Sequence, residues 1–273
     1  MVAVNNPGYE TMNNRAQQLK LVADTGGKEP RCVSAGIEPV PNLCTACAAR
    51  HRGICGALKD QELRELASRT SKRRVEGGRA LQADGEQVAI YSNLLQGVVK
   101  LSKTLADGRQ QIVGLQFPPD FVGRPFGRES RLSAEAVSEV EVCTFPRSVL
   151  EDMLKRHPEL EHRLFQQTLM ELDEARDWLL AVGRKTAGER VAGLLYMIAK
   201  HIPDGSVHEA QKRTSVSFDL PLTRADMADF LGLTIETVSR QITRLRQDGI
   251  IVLEANRHIA VPDMQNLARL AER

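Results

Sequence analysis

The sequence predicts an α+β chain: an antiparallel β-roll, then a long amphipathic helix, then a C-terminal winged helix-turn-helix. Three observations carry that reading. From about residue 72 to 146, apolar and polar residues alternate between turn signals at Gly77-Gly78, Asp84-Gly85 and Asp107-Gly108. From Pro158 onward apolar residues recur at helical steps. Between Thr223 and Arg246 two helical patterns flank Gly232, and two apolar runs follow them. The 273 residues have room for about two domains. Hydrophobic residues make up 42% and aromatics only 4%, so aliphatic side chains must fill the cores.

Residues 1–30 are polar and without period, which predicts a flexible N-terminal tail. Residues 31–157 form the next unit, a cysteine-rich loop plus the roll. The loop holds Cys32, Cys44, Cys47 and Cys55 and has too few large apolar residues to fold unaided. A short helix is expected over about 59–69. Within the roll, Val99, Leu101 and Leu105 alternate with Lys100, Ser102 and Thr104, and Val113, Leu115 and Phe117 alternate after the turn at Asp107-Gly108. This predicts a sheet with one wet face.

A helix over 158–183 follows, with Pro158 suited to its first turn. Its stripe of Leu160, Leu164, Leu172, Ala175, Leu179 and Val182 packs either on its own domain or against a second copy. Leu164, Leu172, Ala175 and Leu179 are the candidate dimerisation residues. The last unit, 184–273, opens with a helix over Ala187 to His201.

Lysine and arginine number 37 against 35 acids, a net charge of +2. That balance excludes a strongly basic chromatin-type chain and an acidic disordered one, yet leaves a local basic face open. The longest apolar run, Val191 to Ala199, is far short of the roughly 20 residues a membrane span needs. The N-terminus has no basic segment followed by an apolar core. A cytoplasmic location and no membrane partner are expected. Five cysteines in a reducing compartment then point to metal or redox chemistry rather than a disulfide framework.

In the last unit Thr223 and Asp226 form a capping-box pattern, Gly232 suits a positive-φ turn, and Thr234 can cap a second helix. Val238, Ile242 and Leu245 would be that helix's inner face, leaving Glu236, Ser239, Arg240 and Arg244 outside. Such a face suits a DNA major groove: arginine can donate twice to guanine, and a carboxylate can accept from cytosine. A plain solvated helical hairpin is the alternative. The runs Ile250 to Leu253 and His258 to Val261 flank a four-residue loop like a wing.

This layout resembles the CRP/FNR family of bacterial transcription regulators over about residues 44–262. The stretch Glu236-Thr237-Val238-Ser239-Arg240 is similar to the E-x-x-S-R recognition signature of the FNR branch. The resemblance implies that Glu236, Ser239 and Arg240 read TTGAT-type half-sites of a palindromic promoter site in double-stranded DNA; Thr237 and Arg244 are further DNA-binding candidates on the same helix. It also implies a homodimer, RNA polymerase as partner, and an activating role. The loop Pro118 to Arg124 and the turn Asp107 to Arg109 are candidate polymerase contacts.

Cys44-Thr45-Ala46-Cys47 is a C-x-x-C pair, with Cys55 following. Three thiolates at such spacing can meet one metal centre, and Arg50, His51 and Arg52 lie between them, where positive charge favours thiolate formation. Cys32 and Cys143 are the candidate fourth ligands. In a strand, Cys143 shares a face with Glu139 and Glu141 while Val140 and Val142 point inward. An N-terminal loop could fold over that face, and three close cysteines plus a distant one can ligate an iron–sulfur cubane. The run from Cys44 to Gly56 is similar to that of the oxygen-sensing FNR branch in its rhizobial and alphaproteobacterial, FnrN/FixK-like form. That resemblance implies a [4Fe-4S] cluster on Cys44, Cys47, Cys55 and Cys143, a β-roll that senses and a long helix that dimerises. The gap before Cys55 is longer than in enteric FNR. The alternative is a constitutive regulator stabilised by zinc on Cys44, Cys47 and Cys55 with Cys32 or His51.

Other chemistries have weaker support. Arg124 occupies the place where the family's cyclic-nucleotide site has a glutamate. His157 and His162 are isolated for haem ligation. A thiol or iron–sulfur redox enzyme would want a βαβ pattern around the C-x-x-C pair, and none surrounds it. No catalytic residues are expected.

Overall fold

The computed structural model of the chain describes residues 42–45, 47–201, 214–255 and 257–272. The expected tail and Cys32 lie outside the described residues. The described chain opens with the short turns α1 (Asn42–Thr45) and α2 (Ala48–His51) and a 3-10 turn at Ile54–Ala57. Then comes α3 (Asp60–Ala67), started by the Lys59 amide donating to the Glu62 carboxylate at 2.8 Å.

Eight strands follow: β1 (Ser71–Val75), β2 (Ala80–Gln82), β3 (Ile90–Gln96), β4 (Val99–Thr104), β5 (Gln110–Gln116), β6 (Phe121–Val122), β7 (Ser133–Ala136) and β8 (Val140–Pro146). They form two four-stranded antiparallel sheets, in the orders β1-β8-β3-β6 and β2-β7-β4-β5. Leu94, Val99, Val122, Ala136, Val140 and Val142 lie in the core of this roll. The expected alternation fails toward the β4–β5 turn, where Leu105, expected inside, is exposed. A bulge between Leu101 and Ser102 shifts the β4–β5 register. Ser102, expected on the wet face, is buried and takes a hydrogen bond from Gln110 at 2.8 Å. Val113, expected inside, is exposed, and its neighbour Ile112 is buried instead. A one-residue offset in pairing exchanges the two faces of a strand, so spacing alone misassigns them.

After the roll come α4 (Arg147–Arg156) and α5 (Pro158–Arg184), with Pro158 in the first turn of α5. The apolar residues of α5 divide between two environments. Leu160 and Leu164 pack into one core with Ile54, Leu58 and Leu63. Leu164, expected in a seam between copies, is therefore covered within its own chain and only 9% exposed. Farther along, Leu172, Ala175 and Leu179 are exposed, as are Phe165, Leu169, Met170 and Leu180.

The last unit comprises α6 (Ala187–His201), β9 (Val216–Asp219), α7 (Arg224–Leu231), α8 (Ile235–Gln247), β10 (Val252–Glu254), β11 (His258–Val261) and α9 (Met264–Glu272). The expected wing hairpin is β10–β11, and β9 extends it to a three-stranded sheet in the order β10-β11-β9. β9 is too short to announce itself by alternation. The unit shares its core with the roll: Val98, Ile112, Leu115 and Phe117 lie in the same apolar cluster as Leu194, Leu195, Phe230 and Ile242. Among the described residues no helix is long and apolar enough to cross a membrane.

Candidate nucleic-acid interface and metal centre

The helix pair α7–α8 is set by local chemistry. The Thr223 hydroxyl accepts from the Asp226 amide at 3.0 Å, and the Thr223 amide donates to the Asp226 carboxylate at 3.1 Å, closing the expected capping box. Gly232 ends α7 with φ +62°, a left-handed turn that favours glycine. Thr234 caps α8 by accepting from the Thr237 amide at 3.2 Å. Val238, Ile242 and Leu245 are buried, which anchors α8 along one stripe.

The opposite face of α8 is open. Glu236, Arg240 and Arg244 are exposed, and Thr237 and Ser239 are half-buried beside them. The Arg240 guanidinium donates to the Thr237 hydroxyl at 3.1 Å, which orients it along the helix. The Glu236 carboxyl is held below its usual range by its own backbone amide and the Thr234 hydroxyl, so it stays an ionised acceptor. Donors and an acceptor on one exposed helical face match the complement of groups in a major groove.

Contacts that single-sequence patterns did not signal hold this reader against the roll. Lys100 of β4 lies 2.9 Å from Asp226 and 3.0 Å from Glu135. Gln111 donates to the carbonyl oxygens of Asp229 and Phe230. The Trp178 ring of α5 stacks on Phe230 with centroids 4.2 Å apart, and its indole N–H donates to the Phe230 carbonyl at 3.3 Å. All these partners lie far apart in sequence.

The cysteine loop folds over one face of the sheet β1-β8-β3. Cys143 on β8 pairs with Lys72 on β1 and Asn93 on β3. As expected for a strand, Val140 and Val142 are buried while Glu141 and Cys143 lie half-buried on the other face. Cys55 is buried against that face, and its sulfur accepts a hydrogen bond from the Asn93 side-chain amide at 3.3 Å. Cys44, Cys47, Cys55 and Cys143 are all free thiols. They interact electrostatically: Cys44 and Cys47 act on both Cys55 and Cys143, and Cys143 acts on Cys55. The four cysteines are thus within electrostatic range of one another.

The electrostatics differ from the expectation of a basic loop that activates thiolates. Burial and the neighbouring sulfurs push the Cys55 thiol up to about 12. Burial likewise raises Cys44, against Lys72 and Arg50, and raises Cys143, against a Thr70 hydrogen bond. Arg50 lowers Cys44 less than burial raises it. Its guanidinium bonds Asp60 at 2.6 Å and the Leu58 carbonyl at 2.8 Å. The His51 ring bonds the Thr45 carbonyl at 3.2 Å.

Thiols that burial makes costly to ionise, as at Cys44, Cys55 and Cys143, fit a soft, multiply charged metal centre, which would stabilise the thiolates. The unpartnered, buried Asn93 Oδ1 beside them marks a polar site within an apolar setting. Among the described residues no group of three His, Cys, Asp or Glu side chains is gathered tightly enough to hold a metal ion as it stands. A tetrahedral zinc needs ligand sulfurs about 3.8 Å apart, from Zn–S bonds of about 2.3 Å. His157 bonds Glu62 at 3.2 Å and His162 bonds Gln166 at 3.0 Å, so each already has a partner.

Comparison with known proteins agrees with this architecture. A Crp-like helix-turn-helix domain matches residues 189–270, and a cyclic nucleotide-binding domain matches residues 72–157. A probable transcriptional activator of Rhizobium leguminosarum bv. viciae is 56% identical over 230 residues, 84% of this chain and 93% of the relative. The transcriptional activator protein FnrL of Cereibacter sphaeroides is 40% identical over 234 residues, 85% of this chain and 94% of the relative. The structure of FixK2 from Bradyrhizobium japonicum superposes with a TM-score of 0.66 at 31% identity, covering 74% of this chain and 96% of that one. With its roll, long helix and winged reader in that order, the chain belongs to the CRP/FNR family of transcription regulators, which are not enzymes, and is of the FNR/FixK activator type.

Proposed function

We propose that this regulator activates transcription when oxygen is low, through a [4Fe-4S] cluster held by Cys44, Cys47, Cys55 and Cys143. The observation that carries the reading is the folding of the three-cysteine loop onto the strand that bears the fourth cysteine. When bound, the group supplies thiolate-ligated iron that is sensitive to oxygen.

Ligation orders a loop with few apolar residues of its own. That loop sits against the start of α5. Ile54 and Leu58 share a core with Leu160 and Leu164, and Arg163 donates to the Arg52 carbonyl at 2.7 Å. The ordered loop thereby braces α5, whose exposed stripe of Leu172, Ala175 and Leu179 pairs with a second copy. Two α8 helices then stand about 34 Å apart and read a TTGAT-type palindrome through Glu236, Thr237, Ser239, Arg240 and Arg244. Loss of the loop's anchorage returns the chain to a weakly binding monomer. The loop Pro118 to Arg124 and the turn Asp107 to Arg109 are offered as polymerase contacts.

Purification without air, followed by iron, acid-labile sulfide and zinc analysis and titration with a palindromic duplex, tests the reading. Near-stoichiometric sulfide with air-sensitive DNA binding is expected. Zinc in place of iron, with binding indifferent to air, overturns it.

A further inference from the structure

We propose that Asn93 is a positioning residue for the cysteine centre, holding Cys55 as a ligand through an N–H to sulfur hydrogen bond. The inference rests on the iron–sulfur reading above and names a residue that stabilises it. Asn93 sits mid-strand in β3, between β8 and β6, with Cys143 and Phe121 as its cross-strand partners. It is 0% exposed, a position where a carboxamide with an unpaired carbonyl is costly. Its carboxamide is turned to the sulfur: Nδ2 donates to Cys55 Sγ at 3.3 Å, while Oδ1 has no partner.

Packing therefore does not account for Asn93, and the sulfur does. A neutral thiol is a weak acceptor, whereas a metal-bound thiolate is a strong one. The bond gains its strength when Cys55 ligates. Two of the other ligands have different support: Lys72 acts on Cys44, and the Thr70 hydroxyl acts on Cys143. Cys55, the most deeply buried of the four, takes its hydrogen bond from Asn93. Partners of this kind hold a ligand in place and moderate the electron density on its sulfur.

The test uses the full chain, reconstituted anaerobically with iron and sulfide, as wild type, Asn93→Leu and Asn93→Asp. Three quantities are read: iron and sulfide per chain, decay of the brown absorbance in air, and melting of the metal-free protein. The Leu variant should load, lose its colour about tenfold faster than wild type, and melt no lower than wild type when metal-free, since the orphaned carbonyl is gone. The Asp variant, of the same shape but presenting negative charge to sulfur, should load poorly. A Leu variant whose colour lasts as long as that of the wild type overturns the proposal. So does one whose metal-free form melts well below wild type, which makes Asn93 a packing residue. Wild type devoid of labile sulfide instead overturns the cluster reading, and the proposal falls with it.

Discussion

Lys100 and Asp226 meet at 2.9 Å across the junction between the roll and the DNA-reading unit. The same carboxylate closes the capping box that starts α7. One group thus both begins the helix pair and fixes it to β4, so any movement of the roll bears directly on the reader.

Lys100→Met should expose that dependence. It leaves Asp226 and Glu135 facing each other without a cation, in a junction where the Lys100 side chain is only 13% exposed. A loss of about 1–3 kcal/mol is expected in a denaturant melt. An unchanged midpoint would mean that Trp178 and Gln111 suffice to hold the junction.

The same pair predicts a pH window. Burial lowers the Lys100 pKa, but its bonds to Asp226 and Glu135 outweigh this, leaving it above its ordinary 10.5. Its contribution is therefore complete below pH 10.5 and lost as pH rises through the raised value. Burial raises Asp226, but its bonds to Thr223 and Lys100 outweigh this, leaving it below its ordinary 3.8. That contribution is complete above pH 3.8 and lost as pH falls through the lowered value. The melting difference between wild type and Lys100→Met should be flat over about pH 5–9 and shrink at both extremes.

Substitutions of the cysteines should separate ligands from bystanders. Cys44→Ala, Cys47→Ala, Cys55→Ala and Cys143→Ala should each abolish the anaerobic brown chromophore and specific DNA binding. Cys32→Ala should leave both. A full cluster retained in Cys143→Ala would remove β8 from the ligand set.

Arg240→Ala should cost about 1–3 kcal/mol, confined to one base position of each half-site. Binding measured on a panel of single-base operator variants gives the answer. An equal loss on random duplex would make Arg240 a phosphate contact instead.

Two leucines of α5 should behave oppositely. Leu179, at 75% exposure, can be changed to Asp with little effect on the melt of the chain, while sedimentation shifts toward monomer. Leu164→Ala should instead lower intrinsic stability by about 2–5 kcal/mol, because its neighbours Ile54 and Leu58 belong to the same chain. A monomeric Leu164→Ala of undiminished stability would return that residue to the seam.

The sequence by itself determined whatever depends on neighbours a few residues apart. The caps at Thr223 and Thr234, the turn at Gly232 and the buried stripe of α8 are relations of three or four residues, so the reader was legible in full. The alternation around Cys143 likewise announced a sulfur facing away from the core. Tertiary structure decided the rest. The bulge after Leu101 buried Ser102 and exposed Val113, since register belongs to a pair of strands and not to either one. Burial reversed the electrostatics expected of Cys44, Cys55 and Cys143. Asn93 beside Cys55, and Lys100 beside Asp226, lie 38 and 126 residues apart, and only the folded chain brings them within bonding range.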